Sequence, residues 1–423
     1  MKLNYKRTFF VGLAFLSICS FWQLYDNIIP LILKNTFGVG ETVTGVIMAM
    51  DNVLALLLLP VFGMLSDRAS TKFGRRTPFI VVGTIASTIF MMIIPIADQQ
   101  KQFVLFIVSL GLVLISMGTY RSPAVALMPD LTPKPLRSMA NAVINLMGAV
   151  GGLITLLLIK VLVNKKGTPN YIPLYVTVAV IMIIAVVVLL LTIRENKMRD
   201  EVAIYNTEEE EVVEDRKEPM RPEVKRSLCF LVASIFLWFT AYNAVTTAFS
   251  RYTEVVWGLG TGGFTSCLLV ATGAAIVSYI PIGIIASKVG RKKTILIGVG
   301  MITFSYLCGC FFLEYSPLIN VVFAITGMGW AAINVNSYPM VVQMSKGCDV
   351  GKYTGYYYTF SMTAQVLTPI LSGALLEFVS YRTLFPYAVF FSIASFATML
   401  FVKHGDAKPE KKTKVLENFD VDD

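Results

Sequence analysis

Three ionisable residues lie inside long apolar stretches of the sequence: Asp26, Asp51 and Arg121. A charge in the hydrocarbon core of a bilayer costs at least about 2.5 kcal/mol, so such residues usually have a function. Burial favours the protonated form of a carboxyl group, and a nearby arginine favours the ionised form. We therefore interpret Asp26 or Asp51 as a proton carrier, and Arg121 as a counter-charge or a hydrogen-bond donor to a ligand. The alternatives are that each acid only joins neighbouring helices and that Arg121 extends to the membrane surface.

The composition identifies the class of protein that holds these residues. The 423 residues are 55% hydrophobic and 15% charged, with a mean hydropathy of +0.68, whereas soluble proteins carry about 25% charged residues. Apolar stretches of about 20 residues account for most of the chain. They leave no room for a large catalytic domain, and the sequence has no His/Cys cluster, nucleophile elbow or phosphate-binding loop. We expect a polytopic membrane protein that is not an enzyme and holds no metal or cofactor.

We predict an all-α membrane protein whose twelve transmembrane helices form two pseudo-symmetric six-helix bundles. Its expected parts are an N-terminal bundle (1–194), a cytoplasmic linker (195–226), a C-terminal bundle (227–402) and a cytoplasmic tail (403–423). The linker carries the acidic run Glu208–Glu211 and cannot bury a core, so we predict a solvated tether, with a regulatory role as the alternative. The predicted helices span residues 8–33, 41–65, 78–97, 103–127, 138–162, 172–194, 227–250, 262–287, 294–313, 318–343, 354–377 and 384–402.

The distribution of basic residues predicts the orientation. If both termini are cytoplasmic, 28 of the 36 Lys and Arg residues lie on the cytoplasmic side, 7 lie on the other side and Arg121 lies within the membrane. Cytoplasmic segments of membrane proteins carry such an excess of positive charge. We therefore place the chain in the cell membrane with cytoplasmic termini, and its net charge of +9 needs no nucleic-acid partner.

The two predicted bundles contain an internal repeat. Residues 63–76 recur in similar form at residues 283–292, and Pro123 recurs as Pro339, 216 residues later. Parallel repeats of this kind are typical of secondary transporters that alternate about a central binding site.

The loop between predicted helices two and three resembles the signature loop of the major facilitator superfamily. We expect it to form an inner gate, together with the start of predicted helix five, from Gly63, Asp67, Arg68, Gly74, Arg75, Arg76 and Arg137. Residues 66–80 are also similar to the sucrose transporter and solute carrier family 45 branch of the glycoside-pentoside-hexuronide cation symporters. The resemblance implies secondary active symport of a disaccharide-like sugar or glycoside with a cation, and the proton is the expected ion.

Two features of the sequence bear on the coupling ion. Melibiose-permease-like members of the family carry carboxylates before a proline of helix two, whereas Ala55 and Leu59 precede Pro60 here. This difference argues against sodium coupling of that type. His404 is the single histidine and lies in the tail, so a transported proton must be carried by a carboxylate.

Asp130 has two interpretations. It matches an acid of the sucrose branch, which implies proton coupling. It also lies at the predicted inner end of helix four, where Lys134, Arg137 and Asp67 are close in sequence or topology. Participation of Asp130 in an ion pair of the inner gate is therefore an interpretation of at least equal weight.

Amide and aromatic residues are the candidate ligand contacts. Amides bind sugar hydroxyls, and flat aromatic faces stack on the apolar side of a pyranose ring. For each aromatic residue, ordinary helix packing or anchoring at the membrane interface is the alternative. The candidate substrate-binding residues are Trp22, Gln23, Tyr25, Asn27, Arg121, Asn141, Asn145, Trp238, Tyr242, Asn243, Trp330, Asn334, Asn336, Tyr358 and Gln365.

Other functions remain open at the level of sequence. A proton-coupled exporter of a drug or metabolite is the main alternative, because proton antiporters carry the same inner loop. A passive facilitator or a receptor-like sensor is the next. We expect a monomer whose partners are a small-molecule substrate and membrane lipid. A saccharide is the expected substrate.

Overall fold

The computed structural model describes residues 3–133, 136–163, 169–207, 221–344 and 350–406. In these residues the chain forms thirteen α-helices and one short 3-10 helix, Tyr381–Thr383. The helices are α1 (Tyr5–Asn35), α2 (Glu41–Arg68), α3 (Thr77–Gln99), α4 (Phe103–Asp130), α5 (Arg137–Leu162), α6 (Ile172–Thr192), α7 (Glu195–Thr207), α8 (Pro222–Val255), α9 (Thr265–Val289), α10 (Arg291–Gly309), α11 (Ile319–Gln343), α12 (Val350–Phe378) and α13 (Leu384–Leu400).

The predicted all-α membrane fold is confirmed. Among the described residues, eleven helices are long and apolar enough to cross a membrane. The helix α10 falls short because its 19 residues begin with Arg291, Lys292 and Lys293. Helices α1–α6 correspond to predicted helices one to six, and α8–α13 correspond to predicted helices seven to twelve.

Two helices extend well beyond their apolar cores. The helix α8 begins at Pro222 and ends at Val255, whereas the apolar pattern predicted residues 227–250. The helix α12 begins at Val350 instead of 354. The apolar pattern marks only the part of a helix that needs a nonpolar environment, so polar first and last turns are missed. At 1.5 Å per residue, the 34 residues of α8 span about 51 Å, which exceeds the hydrocarbon thickness of about 30 Å.

The helix α7 corrects the prediction of a solvated tether for the first part of the linker, Glu195–Thr207. Its 13 residues follow α6 after a break of two residues. Glu195 and Val202 are buried, so at least part of this helix packs against the rest of the protein. The acidic run Glu208–Glu211 lies outside the described residues.

The chain divides into two compact units, and the first comprises residues 1–39, 50–210 and 260–265. In this unit α1 packs on α5 and α6, and α3 packs on α4 and α6. Small residues allow close approach of the helices. A Cβ atom on Gly83 of α3 would lie 2.7 Å from the side chain of Tyr120 on α4. The Ser20 hydroxyl of α1 donates a hydrogen bond to the carbonyl of Gly151 on α5.

The second unit comprises residues 40–49, 211–259 and 266–423. Its pairings repeat those of the first unit: α8 packs on α12 and α13, and α10 packs on α11 and α13. The close glycine contact also recurs, since a Cβ on Gly298 of α10 would lie 2.7 Å from the carbonyl oxygen of Gly329 on α11. The same set of helix pairs in both units is the structural counterpart of the sequence repeat. The first turns of α2 belong to this second unit, and the remainder of α2 belongs to the first.

Candidate functional site

The three intramembrane ionisable residues lie together in the first unit. Asp26 on α1 interacts electrostatically with Asp51 on α2 and with Arg121 on α4. Asp51 also interacts with Arg121. All three side chains remain partly exposed. Two carboxylates therefore interact electrostatically with one guanidinium group, and we call these three residues the charged triad.

Aromatic and amide groups surround the charged triad. The guanidinium carbon of Arg121 lies 5.7 Å from the ring centroid of Trp22, within the range of a cation–π interaction. The Nε1 atom of Trp22 is buried and has no hydrogen-bond partner among the described residues. The Oδ1 atom of Asp51 accepts hydrogen bonds of 2.6 and 2.8 Å from the backbone and side chain of Asn52. The sequence analysis did not include Asn52 among the candidate residues. Its position beside Asp51, an acid within an apolar stretch, could have indicated it.

The other predicted ligand contacts of the first unit differ in exposure. Gln23, Asn141 and Asn145 are partly exposed. Tyr25 and Asn27 are buried, so neither faces an open space in this conformation. The amide of Asn27 donates a 2.9 Å hydrogen bond to the carbonyl of Gln23, one turn earlier in α1. Its Oδ1 atom is buried and has no partner among the described residues, so ligand contact by Asn27 stays a prediction.

The second unit contains six mutually contacting aromatic residues that we call the aromatic cluster. The rings of Tyr242 on α8 and Trp330 on α11 stack with centroids 3.6 Å apart and an interplanar angle of 5°. Phe239 packs edge-on against Trp330 and Tyr357. Phe239 was missed because a phenylalanine in an apolar helix carries no sequence signal. The aromatic cluster consists of Phe239, Tyr242, Trp330, Tyr338, Tyr357 and Tyr358.

Several buried donors of the second unit have no partner among the described residues. They include two on α8, the Nε1 atom of Trp238 and the Nδ2 atom of Asn243. Buried donors are nearly always paired in native proteins, so such atoms need a water or a ligand. Asn336 is buried and donates to the carbonyl of Ala332, which satisfies one donor within α11. Asn334 is also buried, whereas Gln365 is partly exposed.

The predicted inner gate forms a network of ion pairs in the first unit. Asp130 pairs with Arg75 at 2.7 Å and with Arg76 at 2.9 Å. Arg76 also pairs with Asp67 and donates a 3.3 Å hydrogen bond to the carbonyl of Gly63. These ion pairs place Asp130 within the network of the predicted inner gate.

Arg137 and Arg68 lie outside this network of ion pairs. Arg137 donates hydrogen bonds to the carbonyls of Pro129 and Thr132, and not to the carboxylate of Asp130 as sequence proximity suggested. Its side chain thus binds the last turn of α4 and the residues after it. Arg68 is exposed. Lys134, another predicted neighbour of Asp130, lies outside the described residues.

Glu195, the first residue of α7, lies against the predicted inner gate and was missed by sequence analysis. Its side chain is 1% exposed and accepts hydrogen bonds from the backbone N–H groups of Arg75, Arg76 and Thr77. The helix α3 has no capping side chain of its own, so Glu195 supplies the acceptors that its first turn needs. Gly74 adopts a φ of +126°, and a Cβ there would collide with the Glu195 carboxylate.

The second unit carries an equivalent cap. The Oδ1 atom of Asp406, which follows α13, accepts a 2.7 Å hydrogen bond from the backbone N–H of Lys292 at the start of α10. Gly290 precedes this helix with a φ of +102°. In each unit, an acid after the last membrane helix therefore caps the helix that follows the repeated glycine.

A buried ion pair links the start of α2 to α8 within the second unit. Glu41 and Arg251 pair at 2.5 Å, with side chains only 5% and 4% exposed. Glu41 also accepts a hydrogen bond from the hydroxyl of Tyr381, and Arg251 donates to the carbonyl of Thr247. The sequence did not single out either residue, because Glu41 begins a predicted helix and Arg251 follows the end of another.

The fold and these charge networks can now be compared with known proteins. The family model of the Major Facilitator Superfamily matches residues 11–334 and 264–419. The chain belongs to the Major Facilitator Superfamily. Members of this superfamily are transporters and not enzymes, so the prediction that the chain is not an enzyme is confirmed, and the chain is a multi-pass membrane protein.

Two curated sucrose transport proteins match this chain over only part of their length. It is 28% identical over 152 residues to the sucrose transport protein SUC3 of Arabidopsis thaliana, which covers 31% of this chain and 25% of that protein. It is 30% identical over 132 residues to SUC4 of the same organism, covering 28% and 26%. The chain thus spans about a quarter of the length of these relatives. An uncharacterized MFS-type transporter of Methanocaldococcus jannaschii is 22% identical over 390 residues, covering 90% of each chain.

Solved structures agree with the superfamily fold. A POT family transporter in complex with a thioalcohol conjugated peptide has a TM-score of 0.70 at 13% identity, covering 94% of this chain and 95% of its own. The nucleoside transporter NupG has a TM-score of 0.69 at 12% identity, covering 95% and 100%. At such low identity the likeness supports the fold alone.

Proposed function

We propose that the protein is a proton-coupled symporter of a sugar or glycoside, located in the cell membrane with both termini on the cytoplasmic side. The charged triad is the observation that carries this proposal. Two membrane carboxylates interact electrostatically with a single arginine, and one bound proton neutralises the net charge of −1 that the three groups carry when ionised. The distant partial similarity to sucrose transport proteins supports the substrate class.

The triad couples proton binding to movement because its partners lie on three different helices. Asp26 lies on α1, Asp51 on α2 and Arg121 on α4. A change in helix position that brings Arg121 nearer to one acid moves it away from the other, and a carboxylate that loses its cation gains affinity for a proton. Arg121 also has guanidinium donors for a ligand hydroxyl, since it contacts Trp22 through its face.

The aromatic cluster and the unpartnered donors support recognition of a hydroxyl-rich ring. The Nδ2 atom of Asn243 lies one residue after Tyr242, whose ring stacks on Trp330. An aromatic face and a nearby amide are the two groups that a pyranose needs: one for its apolar face and one for its hydroxyls.

The coupling proposal is tested in proteoliposomes that contain a pH-sensitive dye. When disaccharides and glycosides are added outside in turn, a symporter draws protons inward with its substrate, and an exporter of a drug or metabolite does not. The variants Asp26→Asn and Asp51→Asn should each lose uphill accumulation but keep exchange of substrate. A matched control is Asp98→Asn, which changes a buried acid of the same unit that accepts a hydrogen bond from Thr36. Unchanged accumulation in both triad variants would contradict the proposal.

Substrate recognition is tested separately with Trp330→Ala, which removes the stacking partner of Tyr242. Its half-saturation concentration for sugar should rise about 2- to 12-fold, because an aromatic contact is worth about 0.5–1.5 kcal/mol beyond its buried area. The control Phe390→Ala removes an exposed aromatic residue of α13 in the same unit. Equal half-saturation concentrations for the two variants would exclude the cluster from substrate binding.

A further inference from the structure

A cavity of about 440 Å³ lies in the first unit where the first turns of α1 meet the end of α6 and the start of α7. Its lining includes Arg7 on α1, Ile193 after α6 and Met198 on α7. We call it the α1–α7 cavity. It is remote in sequence from the charged triad, and transport by the mechanism above makes no use of it.

The lining of the α1–α7 cavity is strongly basic. Lys6, Arg7, Arg194 and Lys197 line it, against the single carboxylate of Glu201 among the described residues. Glu201 is 52% exposed and lies 3.6 Å from Arg7, so it compensates only a small part of this charge. Four cations around one cavity favour an anionic occupant.

Arg7 leaves hydrogen-bonding capacity unused in the cavity. One of its terminal nitrogens donates a 2.9 Å hydrogen bond to the carbonyl of Met198. Its Nε atom is buried and has no partner among the described residues. A buried guanidinium nitrogen without an acceptor is costly, and phosphate oxygens are acceptors that suit the arginine fork.

The surroundings of the cavity place it beside the lipid. Leu191, two residues before the lining residue Ile193, is 79% exposed. Tyr5 and Phe9 on α1 are exposed on either side of Lys6 and Arg7. In a membrane protein, exposed apolar residues next to exposed lysines mark the level where acyl chains give way to headgroups, and aromatic residues are common there.

We propose that the α1–α7 cavity binds the phosphate of an anionic phospholipid headgroup. Arg7 and Lys197 supply hydrogen bonds to the phosphate, while Lys6 and Arg194 add charge at the rim. Basic pockets at the ends of membrane helices bind anionic headgroups in this way. Since α7 begins with Glu195, a lipid in the cavity stabilises the helix that caps α3.

Native mass spectrometry of the purified full-length chain tests the proposal by titration with defined lipids. Phosphatidylglycerol should bind at least about tenfold more tightly than phosphatidylcholine, whose phosphate is compensated by choline. The double variant Lys6→Ala with Lys197→Ala should weaken phosphatidylglycerol binding about 30-fold, roughly fivefold for each charge. Both lysines are exposed, so the variant should fold, which its thermal midpoint checks. The control Arg199→Ala removes a basic residue of α7 that does not line the cavity and should change binding less than about twofold.

Four results would overturn the assignment. Equal binding of the two lipids, or wild-type binding by the double variant, would show that the basic lining does not hold a headgroup. Inorganic phosphate that binds as tightly as phosphatidylglycerol would identify a site for a free anion. Replacement of Glu208–Glu211 by glutamine would strengthen lipid binding tenfold or more if the acidic run of this chain were the occupant, whereas unchanged binding supports the lipid.

Discussion

The cap that Glu195 places on α3 leads to a sharp prediction about local stability. Its carboxylate accepts hydrogen bonds from the N–H groups of Arg75, Arg76 and Thr77 at 2.8–2.9 Å, and it also accepts one from the Thr77 hydroxyl at 2.7 Å. Hydrogen bonds to a charged group contribute about 1.5–3 kcal/mol each. Arg76 and Thr77 are buried, so these two donors cannot turn to bulk water without opening of the helix. At the lower value for two bonds, the variant Glu195→Ala loses about 3 kcal/mol at the start of α3.

Hydrogen–deuterium exchange measured by mass spectrometry on a peptide covering residues 72–82 reports this loss directly. A reduction of about 3 kcal/mol in the free energy of local opening corresponds to about 100-fold faster exchange of these amides. The matched control is Glu201→Ala, which removes an exposed acid of the same helix whose partner is Arg7. An exposed pair contributes at most about 1 kcal/mol, and this one does not touch α3. Exchange in Glu195→Ala within threefold of the wild-type rate would refute the cap.

Three further predictions concern the other charge and backbone features. Arg251→Met should destabilise the protein by about 3–5 kcal/mol, because it leaves the Glu41 carboxylate buried without its cation, and adding Glu41→Met should restore part of the thermal midpoint; equal midpoints for the single variant and wild type would contradict this. Asp406→Ala should accelerate amide exchange at the start of α10 by only about tenfold, since a single hydrogen bond is lost there. An acceleration of about 100-fold, as expected at α3, would contradict a cap of one hydrogen bond. Gly74→Ala should cost about 1–3 kcal/mol because its φ is +126° and its Cβ has no space, whereas Gly111→Ala, with no neighbour nearby, should be neutral or stabilising in the same thermal assay.

The membrane helices could be predicted from sequence because the bilayer imposes a length and a composition on each of them. The helix α5 was predicted at residues 138–162 and is observed at Arg137–Leu162. The helix α7 could not be predicted in the same way, because it is short and polar and only Glu195 and Val202 are buried among its described side chains. A charged segment that follows a membrane helix has the same composition whether it is solvated or packed.

Candidate site residues could be predicted from sequence where an ionisable residue stands alone in an apolar stretch. They could not be predicted where the role of a residue depends on a partner that is distant in sequence. Asp26 and Arg121 stood out because each is an ionisable residue within an apolar run. Glu195 and Arg251 lie at helix ends, where charges are common, and their partners lie more than 100 residues away in sequence. Such a pair is visible only after the chain has folded, because nothing in the local pattern distinguishes a capping acid from a solvated one.

The internal repeat allows residues at equivalent positions of the two units to be compared. At the offset of 216 residues that relates Pro123 to Pro339, Trp22 corresponds to Trp238 and Asn27 corresponds to Asn243. Both tryptophans lie on the first membrane helix of their unit, and neither indole Nε1 has a partner among the described residues. The side chains of Asn27 and Asn243 each keep a buried polar atom without a partner as well. Unpaired atoms at equivalent positions in two units are difficult to explain as packing accidents, and they favour a shared role in ligand contact.

The same alignment shows that the isolated ionisable residues within the apolar stretches lie in the first unit. Asp26 corresponds to Tyr242 and Arg121 to Ser337, so the second unit has an aromatic ring and a hydroxyl where the first has an acid and a base. Tyr242 stacks on Trp330, and Ser337 lies 3.3 Å from the hydroxyl of Tyr357. Tyrosine and serine side chains do not release protons near neutral pH, so they cannot replace a carboxylate in proton coupling. We infer that the first unit alone carries the proton and that the stacked rings of the second unit contact the apolar face of the solute, so that variants of Tyr242 should change solute affinity without loss of proton coupling.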